Sequence, residues 1–202
     1  MTKGTGTRSG LLWEVERILT ECYHLKDNID FNYGMPQVLL MENVPQVHSK
    51  ANMPDFEQWC DFLRNMGYES YWQDMNARDY GVAQNRNRCF MVSILGNYTY
   101  TFPKKIPLKK VMKDYLEDKV EDKYYITSEK AQKLIETLIL DGKIPTKKTN
   151  NDRAMIDLTV YKPKTIETAN CIMARYDCGI SNQQSIGSGV CEVEFLETVN
   201  SN

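Results

Sequence analysis

A chain of 202 residues, 42% of them hydrophobic, is long enough to bury a core, so one or two globular domains are expected and disorder is not the default. The net charge of −2 hides a local excess of bases between Lys143 and Arg175, which suits a polyanion at one face and equally an ordinary solvated surface. No apolar run approaches a membrane span and the N-terminus has no signal-type segment, so a soluble cytoplasmic protein is expected; the six cysteines form no C-x-x-C pair and only two histidines accompany them, so free thiols are expected and no metal.

Gly4-Thr5-Gly6-Thr7-Arg8-Ser9-Gly10 has the glycines of a phosphate loop but no strand before it and no Lys-Ser/Thr after it, and reads as a flexible lead-in. Ser9 is placed to cap a helix carrying Leu11, Leu12, Val15, Ile18, Leu19 and Cys22 on one face. Gln37 to Met41 contains an unbroken apolar run, read as a strand buried on both faces that delivers Glu42 to its C-terminal edge and is ended by Pro45. In an open α/β sheet that edge is where sites are built.

A second helix is expected from about Pro54 to Met66, with Phe56, Trp59, Cys60 and Leu63 at helical spacing and Gly67 as its stop. Tyr68 to Met75 reads as a strand, Asn76 to Ala83 as a loop, and Gln84 to Leu95 as one further strand. The short link predicts an antiparallel pair at the sheet edge. A period of two sets Gln84, Arg86 and Arg88 on one face, three donors pointing the same way; the plain alternative is two solvated arginines near a strand end. Residues 97 to 125 read as a connector with one helical patch at 108 to 116. A helix from Ser128 to Asp141, closed by Gly142, buries Ala131, Leu134, Ile135, Leu138 and Ile139. Short β-like pieces at Met155 to Tyr161 and Cys171 to Arg175 and a glycine-containing stretch, Gly179 to Gly189, complete the chain.

Three features in this order resemble the bacterial and phage DNA cytosine-5 methyltransferases: Thr7-Arg8-Ser9-Gly10-Leu11-Leu12 opening a helix, Glu42-Asn43-Val44 after an apolar strand, and Asp79-Tyr80-Gly81-Val82-Ala83-Gln84-Asn85-Arg86-Asn87-Arg88 before the next buried strand. Tyr100 to Lys104 and Lys123 to Ile126 are similar to that family's link into its target recognition domain. The resemblance implies an α/β fold: part of an S-adenosylmethionine-dependent, Rossmann-like mixed sheet with flanking helices over residues 1–125, then part of a small recognition domain over 126–202.

It also implies a chemistry. The family adds a cysteine thiolate to C6 of a flipped cytosine, and the activated C5 then takes the methyl group of S-adenosylmethionine. Charge developing in the ring calls for a donor at N3, which a protonated carboxyl supplies. By resemblance that group is Glu42; Arg88 donates to the cytosine O2, Arg86 contacts the thiolate region or the phosphate, Asn43 holds the turn, and Gln84 anchors the loop. The resemblance further implies Leu11 at the cofactor and Arg8 and Arg175 at duplex DNA. The family's nucleophile follows a proline, and none of the six cysteines here does; nor is there a Phe-x-Gly-x-Gly cofactor turn. The expectation is therefore an internal piece of such an enzyme, inactive by itself and completed by an N-terminal polypeptide. Ala169-Asn170-Cys171-Ile172-Met173-Ala174-Arg175-Tyr176 stands where the family commonly carries a Thr-Leu pair near the flipped base. Two other readings stay open: a non-catalytic DNA-binding or interaction module, and an inactive fragment that dimerises to cover exposed apolar surface.

Overall fold

The computed structural model describes residues 11–25, 34–124, 127–144, 153–157, 164–171 and 190–194. Its described elements are helices α1 (Leu11–Leu25), α2 (Met53–Asn65) and α3 (Glu129–Leu140), and strands β1 (Val38–Asn43), β2 (Tyr68–Asn76), β3 (Gln84–Asn85), β4 (Asn87–Leu95), β5 (Arg153–Asp157), β6 (Lys164–Thr165), β7 (Ala169–Asn170) and β8 (Val190–Glu194). The order is α/β, as expected. The chain divides into two compact units, Met1–Asn76 with Asn87–Lys104, and Ala77–Arg86 with Lys105–Asn202. Among the described residues no helix is long and apolar enough to cross a membrane.

The first unit is built on a three-stranded antiparallel sheet in the order β1-β4-β2. β4 is apolar because it is central: Cys89, Met91, Val92 and Ser93 are all buried. Across the three strands Asn43, Cys89 and Asp74 stand in one row, and Glu42, Phe90 and Gln73 in the next, so their side chains alternate between faces. The face carrying Cys89 and Met91 packs on Phe56, Trp59 and Leu63 of α2 and on Leu19 of α1. Those three α2 side chains are each 3% exposed or less, and full burial of such groups contributes roughly 1.5–3 kcal/mol apiece. Pro54 sits in the first turn of α2, and Gly67 follows its end at φ 91°, a conformation glycine adopts without strain.

The structure corrects two expectations about burial. β1 is not buried on both faces: Val38 and Leu40 are 54% and 68% exposed, whereas Leu39 and Met41 on the alternate positions pack on the core. An apolar run fits a one-sided strand as well as a two-sided one, and only what packs on each face decides. In α1 the buried stripe is rotated: Trp13 and Leu19 go inward while Val15 and Ile18 are exposed. The helix surface is held by Arg17, which pairs with Glu14 at 2.6 Å and with Glu21.

In the second unit α3 follows Ser128 as expected and buries Ala131 and Leu138, but Ile139 is exposed. Gly142 closes it at φ 65°. β5 lies between β6 and β8 in an antiparallel sheet that buries Met155, Ile156 and Asp157. β8 is not among the expected strands, although Cys191-Glu192-Val193-Glu194 alternates apolar and acidic residues as a half-buried strand does.

Candidate active-site residues

Glu42 and Asn43 end β1. Asn43 caps its own turn, its Oδ1 accepting the Val44 N–H at 2.8 Å, and Pro45–His48 then forms a short 3-10 helix that takes the chain off the sheet. Glu42 lies on the face opposite the helices. Arg88, at the start of β4, alternates with buried Cys89 and so projects to that same face; its Nε stands 3.0 Å from Glu42 Oε1. The arginine side chain is 19% exposed and the carboxylate 46%, so the guanidinium is held while the carboxylate stays open to solvent. A second donor of the same guanidinium, Nη1, bonds the Asn87 carbonyl at 2.8 Å, which fixes its plane.

Gln84 to Leu95 is not one strand. It changes partner at Arg86: β3 runs parallel to β7, Gln84 opposite Ala169 and Asn85 opposite Asn170, while β4 joins the first unit's sheet. The common face expected for Gln84, Arg86 and Arg88 is therefore absent, and Arg86 and Arg88 fall in different compact units. The break is set by the backbone. The Arg86 carbonyl accepts the Ala77 N–H at 2.9 Å, closing the loop on itself, and the Arg86 N–H bonds the Gln84 carbonyl at 3.0 Å in place of a ladder contact. The Arg86 guanidinium lies 3.5 Å from Cys171 Sγ.

The Asp79-Tyr80-Gly81 turn explains the motif between them. Asp79 Oδ2 binds Lys105 Nζ at 2.7 Å, its carbonyl accepts the Ile106 N–H at 2.9 Å, and Tyr80 bridges Ile106. The Lys105 ammonium holds the Asp79 carboxyl below the usual carboxylate range, mainly through that hydrogen bond. Gly81 has φ +85°, and an added Cβ would meet Ile106 Cδ1 at 3.3 Å.

The geometry thus joins Glu42 with Arg88, sets Arg86 beside Cys171, and places Gln84 in a backbone pairing. Leu11 opens α1; Arg8 and Arg175 lie outside the described residues. Two further residues are not singled out by any sequence motif. Lys105 is the clamp on Asp79, and its only signal is a lysine just beyond the aromatic-proline step Phe102-Pro103. His48 has none, yet its Nε2 stands 2.9 Å from Asp74 Oδ1.

A family model described as C-5 cytosine-specific DNA methylase matches residues 2–187. The chain is 39% identical over 123 residues to the type II methyltransferase M2.ScrFI of Lactococcus lactis subsp. cremoris, covering 60% of this chain and 31% of that protein. It is also 39% identical over 123 residues to the orphan methyltransferase M.SssI of Spiroplasma monobiae, covering 61% and 30%. Among solved structures, the S. pombe Dnmt2 methyltransferase superposes with a TM-score of 0.52 at 17% identity over 90% of this chain and 51% of that one, a likeness of fold. The chain spans about a third of the length of these curated relatives. A match across most of its residues nevertheless shows that this chain belongs to the C-5 cytosine-specific DNA methylase family.

Proposed function

We propose that these residues supply the base-binding half of a DNA cytosine-5 methyltransferase acting on a flipped cytosine in duplex DNA. The observation that carries the reading is the Glu42–Arg88 pair: a carboxyl at a strand end and a fixed guanidinium 3.0 Å away on one face of the sheet. A flipped cytosine presents N3 and its exocyclic amine on one edge and O2 beside N3. Glu42, protonated, donates to N3 and accepts from the amine; Arg88 donates to O2. As charge builds in the ring, both contacts strengthen, which is where fixed donors lower a barrier. Arg86 acts toward the thiolate region or the phosphate, and Gln84 anchors the loop through β3. Residues 1–125 belong on this reading to the catalytic domain and 126–202 to the target recognition domain, with Arg8 and Arg175 toward DNA.

S-adenosylmethionine supplies the methyl group in this family. The described residues do not fit it: the described strands of the sheet that carries Glu42 are antiparallel, and Leu11 contributes no polar side chain. The role proposed for the described residues is therefore holding and polarising the base. The thiolate also comes from outside these residues, since no cysteine among the six follows a proline. The test is reconstitution: the chain is mixed with a polypeptide carrying the Pro-Cys and Phe-x-Gly-x-Gly segments of a relative, and methyl transfer to cytosine DNA is measured. Transfer by the mixture but by neither component supports the reading; a mixture that forms a complex yet methylates nothing overturns it.

A second reading, a DNA-binding module without chemistry, draws on the same membership. It requires salt-dependent binding of duplex DNA by the chain alone.

A further inference from the structure

On the opposite face of the sheet from Glu42, three chemically different donors converge from three elements. His48 is the last residue of the Pro45–His48 3-10 helix, and Asp74 and Cys89 are cross-strand neighbours in β2 and β4. One ligand atom from each lies within 4.8 Å of the others, and His48 Nε2 is 2.9 Å from Asp74 Oδ1. We propose that His48, Asp74 and Cys89 form a three-ligand site for a zinc-class divalent cation. The proposal is independent of methyl transfer.

Imidazole, carboxylate and thiolate together are the donor set of borderline metals, zinc foremost, and fit neither magnesium nor calcium. The scaffold is rigid. Asp74 and Cys89 are fixed by strand pairing, and the His48 ring packs against Trp72 with centroids 4.7 Å apart and against Phe56 at 6.2 Å. Tetrahedral zinc, with bonds of about 2.0–2.3 Å, holds its ligand atoms roughly 3.3–3.6 Å apart. The His48–Asp74 contact must therefore open by a few tenths of an ångström, and the other separations, which are at most 4.8 Å, need to close by no more than about 1.2–1.5 Å.

The site is graded in depth. Cys89 is 0% exposed, whereas the His48 and Asp74 side chains are 20% and 35% exposed, which leaves the fourth position toward solvent for a water. Without metal, burial and the neighbouring Asp74 carboxylate keep the proton on the thiol. Binding exchanges that proton: the S–H bond breaks, the sulfur pair goes to the cation, and the proton leaves to solvent. Asn43 is paired with Cys89 across β1 and β4, and His48 ends the turn that begins at Asn43, so an ion here would tie that turn to the sheet.

The full chain, treated with a chelator and then titrated with Co2+ alone, tests this. The expected result is a sulfur-to-cobalt charge-transfer band in the near ultraviolet with visible ligand-field bands, saturating at one equivalent and abolished by Zn2+. Asp74→Asn and His48→Gln should each weaken binding about tenfold or more, and Cys89→Ser should remove the charge-transfer band, with folding checked by circular dichroism. If Cys89→Ser does not fold, the other two variants decide, since they change only partly exposed side chains. Absence of the band at stoichiometric cobalt overturns the proposal, and so does a band whose affinity is unchanged in both Asp74→Asn and His48→Gln.

Discussion

Arg88 Nε meets Glu42 Oε1 at 3.0 Å, from the start of one strand to the end of its neighbour, on the side of the sheet that the helices leave open. A pair with a 46% exposed carboxylate contributes little to folding, under about 1 kcal/mol. Glu42→Gln should therefore lower the unfolding free energy in urea by no more than that amount. In the reconstituted enzyme it should lower methyl transfer by about 10²–10⁴-fold, the usual share of a general acid. A loss of activity no larger than the loss of folded protein would make the carboxyl structural instead.

Cys89 predicts an alkaline instability. Its thiol is raised from 9.0 to about 11, first by burial and then by the charge of Asp74. A raised value means the folded state holds the proton more tightly, so the stabilisation is complete below pH 9.0 and is lost as pH rises toward 11. The slope is about 1.4 kcal/mol per pH unit over that window. Cys60 and Tyr68, also pushed up by burial, add slope of the same sign. Urea titrations on either side of the window should therefore show a shallower pH dependence for Cys89→Ala than for the parent, and identical slopes would refute the assignment.

Gly81 should not tolerate a side chain. Its φ is +85°, and a methyl group placed there would stand 3.3 Å from Ile106 Cδ1, so Gly81→Ala should destabilise the turn by about 1–2 kcal/mol. Hydrogen exchange at the Ile106 amide, which bonds the Asp79 carbonyl, should accelerate. Gly34→Ala is the control, because nothing lies within 4 Å of the position its Cβ would take.

Leu40 and Phe56 should behave oppositely. Phe56 is 1% exposed at the centre of the core, and Phe56→Ala should lower stability by about 3–5 kcal/mol. Leu40 is 68% exposed, and Leu40→Lys should change stability by roughly 0.5 kcal/mol or less while reducing concentration-dependent self-association, read by size-exclusion chromatography. An unchanged elution profile across concentrations in both proteins would show that this face is not sticky.

Local order is legible in the sequence wherever it depends on near neighbours. The α2 face of Phe56, Trp59 and Leu63, the glycine stop at Gly67 and the Ser128 start of α3 all follow from spacing and terminal residues, and the structure has them. Burial of the apolar run Val38–Met41 is not legible, because a strand covered on one face and a strand covered on both carry the same letters. Nor is the break at Arg86 within Gln84 to Leu95, because strand periodicity does not register a change of partner.

By itself the sequence determined which chemistry is carried: a carboxyl after an apolar strand, two arginines spaced by one residue, and the order of motifs that marks the family. Only the tertiary structure decided their company. It set Arg88 against Glu42, turned Arg86 toward Cys171, and gathered His48, Asp74 and Cys89, which have no metal-ligand spacing in the chain. The physical reason is that side-chain type is written residue by residue, whereas register between strands is a collective result of burying one face of a sheet, and it brings together residues that no local pattern connects.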